Sequence, residues 1–94
     1  MTDISFDFET YSEADIYKTG AFAYADHETT RVLMVAWVVD DSEPYLWLEG
    51  QKPPQMLFDL IEKGANLWAW NAQFEMAIWH RTLHWPKTKI KQWN

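Results

Sequence analysis

The sequence predicts an α/β domain built on one mixed sheet, with elements in the order β-β-β-α-β-α. Three observations carry that prediction. Residues 3–9 alternate polar and apolar with the period of a strand. "VLMVAWVV", from Val32 to Val39, is an unbroken apolar and β-branched run of strand length. Beyond Pro53 and Pro54 the apolar spacing becomes that of a helix. Three sequential strands followed by a helical crossover give a sheet that is part antiparallel and part parallel.

Taken in order, Ile4, Phe6 and Phe8 make the apolar face of the first strand, and Ser5, Asp7 and Glu9 its opposite face. Residues 10–30 are mixed and polar, with a turn at Gly20 and a short helical turn around "SEADIYKTG". There Ser12 is the candidate cap and Asp15 occupies the capping-box position. The run ending in "VVDD" reads as a strand covered on both faces. "DDSEP" is a turn, and "YLWLEG" pairs back as a short strand. In "KPPQMLFDLIEKG" a proline opens a helix, Met56, Leu57, Leu60 and Ile61 form its stripe, and Gly64 closes it. "ANLWAW" is a further short strand. Asn71 caps a last helix, "AQFEMAIWHRTL", whose expected core stripe is Phe74, Ala77, Ile78 and the stem of Arg81; Pro86 stops it.

Ninety-four residues make one small domain, and 48% hydrophobic with 17% aromatic composition excludes a disordered class. Without cysteine there is no disulfide and no zinc–thiolate site. A net charge of −6 argues against gripping nucleic acid by phosphate neutralisation alone. The acids crowd the first half and none follows Glu75, whereas "KTKIKQWN" carries Lys87, Lys89 and Lys91. Asp3 and Asp7 interrupt any N-terminal signal pattern, and no apolar run is long enough to span a bilayer. A cytoplasmic chain without membrane contact is expected.

Chemistry gathers on Asp7 and Glu9. Side chains two apart on a strand share a face, and two adjacent carboxylates repel unless one keeps a proton or a cation neutralises both. Mg²⁺ takes such oxygen ligands. For the pair taken alone, an edge strand with a solvated polar face is the plainer account. Glu75 stands on the first turn of a helix that follows an apolar strand, where functional groups of α/β sheets collect; an acid placed there for the helix dipole is the plainer account.

Taken together, "FDFET" and "WNAQFE" resemble the two leading motifs of the DEDD-type, DnaQ-like 3′–5′ exonucleases of the ribonuclease H-like superfamily. The likeness is greatest to the exonuclease portion of phage-type family A DNA polymerases, and the intervening segment shares it. Asp7 and Glu9 match the first motif, Asp-x-Glu on the first strand. Asn71, Phe74 and Glu75 match the second. Two departures stand out: glutamate at 75 replaces the usual aspartate, and Trp70 stands where many relatives have histidine. The family's third motif supplies a fourth acid with a tyrosine or histidine, and no acid follows Glu75.

The resemblance implies a ribonuclease H-like sheet and a proofreading exonuclease that hydrolyses phosphodiester bonds at a single-stranded DNA 3′ end. Asp7, Glu9 and Glu75 would be catalytic and would hold two Mg²⁺ or Mn²⁺ ions, with Asp7 bridging. Phe8, Thr10, Asn71 and Phe74 would meet the substrate, although Phe8 and Phe74 also read as core and Asn71 as a cap. It further implies that residues 1–94 are the N-terminal half of the domain, inactive alone. The partners would then be the C-terminal half and a polymerase domain. A half-domain would leave part of its sheet bare and be marginally stable or self-associating.

Three other readings compete. A catalytically inactive remnant would keep the shape without turnover. A binding module could use a strip of tryptophans, drawn from Trp37, Trp47, Trp68, Trp70, Trp79, Trp85 and Trp93, for sugars or unpaired bases. Of these, Trp37, Trp68 and Trp70 read as strand core. His80 and His84, four apart, have zinc-ligand spacing but lack the intervening glutamate of the metalloprotease motif. The lysines of "KTKIK" could touch phosphates, but read rather as a solvated tail or the start of a connection.

Overall fold

A computed structural model describes residues Met1–Trp93. These residues form a five-stranded sheet in the order β3-β2-β1-β4-β5. Its strands are β1 (Asp3–Tyr11), β2 (Arg31–Val39), β3 (Tyr45–Leu48), β4 (Asn66–Ala69) and β5 (Lys91–Gln92). Strand β1 is central, antiparallel to β2 and parallel to β4; β3 is antiparallel to β2, and β5 is parallel to β4. The mixed α/β sheet expected from the sequence is therefore present.

Register separates the two faces. Phe6 opposes Trp37, Phe8 opposes Val35 and Val35 opposes Trp47, while Ile4 opposes Leu67 across the parallel pair. All of these belong to one core, and every residue in the set is buried. Trp79 is its centre. It is fully buried and meets Phe6 at 5.7 Å, Phe58 at 5.8 Å and Trp85 at 4.9 Å, each edge-on. Its indole N–H donates to the Pro86 carbonyl at 2.7 Å, so the polar edge of the ring is satisfied inside the core.

The other sheet face carries Ser5, Asp7 and Glu9 from β1, Met34, Ala36 and Val38 from β2, and Leu46 and Leu48 from β3. Leu46 is 58% exposed and Leu48 47%. Strand β2 is thus not covered on both faces as its apolar run predicts: Met34, Ala36 and Val38 are half-buried and Leu33 is exposed.

Helix α1 (Ile16–Asp26) is longer than the single turn expected. Gly20 does not end it but kinks it, with φ 82° and ψ 170°, a conformation open essentially to glycine alone. Asp15, not Ser12, is the cap: its side chain accepts from the Tyr17 N–H at 3.0 Å. Ser12 instead accepts from the Ala14 N–H and joins the Thr30 hydroxyl.

Helix α2 (Gln55–Glu62) follows Pro54 and ends before Gly64, whose φ of 104° needs a residue without a β-carbon. Helix α3 (Ala72–Ala77) passes directly into a π turn over Ile78–Thr82. The expected continuous helix is therefore split. Its wider turn lets Ala77, Ile78 and Trp79 all lie buried in succession, which the 100° step of an α-helix opposes. Arg81 leaves the core stripe altogether, pairs with Asp26 at 2.8 Å and covers the Phe22 ring.

The lysine-rich segment is not a free tail. Ile90 is buried, and Lys91 and Gln92 pair with Trp68 and Ala69 to make β5. The element order therefore gains α1 and β5 over the one read from the sequence.

Candidate functional site

Strand β4 pairs with β1 only as far as Ser5, opposite Trp68. Beyond that point β1 runs on to Tyr11 with no strand beside it on this side among the described residues, and the chain turns at Trp70 and Asn71 into α3. Asn71 caps the helix by accepting from the Phe74 N–H at 3.4 Å, and the Gln92 side chain accepts from the Ala72 N–H at 2.8 Å. These contacts fix the first turn of α3, and with it Glu75.

Among the described residues Glu75 is the single acid in the buried set, 4% exposed, and its Oε2 has no hydrogen-bond partner there. Burial pushes its pKa up to about 8, and the carboxylates of Asp7 and, more weakly, Glu9 add to the rise. The Phe8 backbone N–H, on the open stretch of β1, acts in the opposite direction. Asp7 and Glu9 are themselves exposed. The structure thus brings the three sequence-selected acids within electrostatic reach, with Asp7 and Glu75 the closer pair. Among the described residues no group of three His, Cys, Asp or Glu side chains stands in an arrangement ready to hold a metal ion.

The donor chemistry nonetheless fits a hard divalent cation. All three groups offer carboxylate oxygens, one of them buried and unpartnered, and such ions commonly use one or two carboxylates and complete their shell with water. Glu75 must lose its proton to serve, so cation and proton compete for the same oxygen.

The remaining candidates sort by what already occupies them. The Phe8 ring is buried against Trp85 at 5.8 Å, which leaves its main chain, not its side chain, at the site. Thr10 shares a 2.9 Å hydrogen bond with the Tyr24 hydroxyl, and Phe74 lies half-buried 5.7 Å from the Tyr24 ring. Tyr24 therefore supports both, a role that nothing around it in the sequence marks. His80 uses Nε2 to accept from the Thr88 N–H at 3.1 Å, while His84 is exposed with φ 53°. The histidine spacing has a structural explanation on this count.

The tryptophans divide differently from the sequence expectation. Trp37 is core, but Trp68 is half-buried and Trp70 is 70% exposed, beyond the last residue of β4. Away from the acids, a cavity of about 490 Å³ lies between α2 and the segment after the π turn, lined by Phe58, Ile61, Trp79 and Pro86. No acid of the Asp7 group lines it.

No protein-family model matches the chain, and no curated protein matches it in sequence at a significant level.

Proposed function

We propose that this chain carries the acid-lined part of a metal-dependent 3′–5′ exonuclease site of the DnaQ-like, ribonuclease H-like kind, acting on a DNA 3′ end as in polymerase proofreading. The observation that supports it most is the burial of Glu75 against Asp7, with Glu9 near enough to act on Glu75 as well. Motifs far apart in sequence supply these groups, and the mixed sheet agrees with the fold the resemblance implies.

On this reading Asp7, Glu9 and Glu75 would hold Mg²⁺ or Mn²⁺, which supply Lewis acidity for an in-line phosphoryl transfer. The chain's own residues prepare the place. The β1 backbone sets Asp7 and Glu9 side by side, Asn71 fixes the helix start that aims Glu75, and Tyr24 steadies Thr10 and Phe74. Neutralising these acids with cations would also let a net-negative protein accept a polyanion.

Calorimetric titration with Mg²⁺ and Mn²⁺ tests the reading. Binding by the wild type that is lost in Asp7→Ala is expected; no binding, or binding indifferent to that change, overturns it. The chain has no acid after Glu75 to act as the fourth of the family's set, so little hydrolysis by these residues alone is expected. A second reading, a binding module without turnover, draws support from the exposure of Trp70. It requires ligand binding that a chelator leaves unchanged.

A further inference from the structure

Three indoles lie in a row at the edge of the open sheet face. Trp68 and Trp93 stack at 4.3 Å with 20° between their planes, and Trp70 lies 6.2 Å from Trp93 at 36°. Trp70 is 70% exposed. Its main chain is fixed at this edge. The Gln92 amide donates to the carbonyls of Trp70 and Trp93, and the same side chain accepts from the Ala72 N–H. Trp68 is fixed by its own N–H, which donates to Asp3 Oδ1 at 2.9 Å.

Position and charge say what the row can take. The Trp93 N–H donates to Ser5 Oγ at 3.2 Å. Ser5 is the residue immediately before Asp7 on the same face of β1, about 7 Å away at strand spacing. The Lys91 ammonium lies 5.2 Å over the Trp68 ring, and Lys87 and Lys89, on the same segment, are exposed. Flat aromatic faces beside cations, in a chain otherwise rich in acids, match a ligand with planar rings and a negative backbone. A neutral sugar chain would use the indoles but not the lysines.

We propose that Trp70 and Trp93, backed by Trp68 and flanked by Lys91, form a stacking platform for unpaired bases of a single-stranded nucleic acid lying alongside Asp7. The proposal rests on the exonuclease reading only for where the strand's end would lie; stacking itself needs no cation and no turnover.

The test is the fluorescence anisotropy of a fluorescein-labelled oligothymidylate titrated with the chain in EDTA. Wild-type binding is expected, weakened about tenfold by Trp70→Ala, as for the loss of one stacked base, and largely retained by Trp70→Phe. Lys91→Ala should lower the affinity and flatten its dependence on salt. Because Trp70 is exposed, its alanine variant should keep the wild-type Mg²⁺ titration. Absence of oligonucleotide binding, or binding that Trp70→Ala leaves unchanged, overturns the platform. So does a cello-oligosaccharide that displaces the oligonucleotide with higher affinity. Platform and acid site fail separately: loss of Mg²⁺ binding with oligonucleotide binding intact removes the nuclease reading alone.

Discussion

The carboxyl of Glu75 is buried beside that of Asp7, and burial, with the Asp7 carboxylate adding to it, raises its pKa to about 8. Two segments remote in sequence thus share one electrostatic problem, and its consequences are measurable.

The first is the dependence of stability on pH. Glu75 ionises near 4.5 in the unfolded chain and near 8 in the fold, so the folded state binds the extra proton between those values. Stability therefore falls as pH rises from about 4.5 towards 8 and levels off above, by on the order of a few kcal/mol. Urea midpoints measured across this interval should show the slope in the wild type. Glu75→Gln, which cannot ionise, should remove it and be the more stable form at the alkaline end.

Cation binding should carry the mirror image of that slope. A divalent ion favours ionised Glu75, so Mg²⁺ binding should release protons and strengthen as pH approaches 8. Calorimetry in two buffers of different ionisation enthalpy counts the protons. A binding enthalpy independent of buffer would contradict this linkage.

Trp79 offers a test of the core. It is fully buried between Phe6, Phe58 and Trp85, so Trp79→Ala should lower stability by about 3–5 kcal/mol in chemical denaturation. Trp79→Phe should lose less, but it leaves the Pro86 carbonyl without its donor.

At Gly20 the backbone alone decides. A β-carbon there would meet nothing within 4 Å, but φ of 82° is strained for any residue that carries one. Gly20→Ala should destabilise by about 1–3 kcal/mol, read as a lower thermal midpoint with the spectrum of the fold unchanged.

Strand β3 is an edge with Tyr45, Leu46 and Leu48 exposed, and unprotected edges recruit other chains. Sedimentation should show concentration-dependent association that Leu46→Lys reduces. A monomer at all concentrations would speak against an adhesive edge.

Periodicity made the larger elements legible. The alternation of Ile4, Phe6 and Phe8, the run before Asp40, and the proline–glycine bracket around α2 all name their elements because each pattern is local, although the run before Asp40 is buried on one face only. Legibility failed where the deciding contact is remote. Strand β5 has two residues and exists through its pairing with β4, which no local pattern records. Gly20 reads as a stop because a kink and a terminus use the same residue. Trp70 reads as strand because an apolar run does not show where pairing ends. At the site, the spacing from Asn71 placed Glu75 on the first helical turn, but not its burial. That depends on where β4 stops beside β1.

The π turn at Ile78–Thr82 makes this region sensitive to length as well as to composition. Deleting one residue there would let the segment relax into ordinary helix and rotate everything beyond it by about a quarter turn or more. Thr82, which donates to the Ala25 carbonyl, and Trp85, which meets Trp47 and Phe8, would then face the wrong neighbours. A point change at an exposed position such as His84 spares this arrangement, whereas a one-codon deletion would dismantle the aromatic core from its far side.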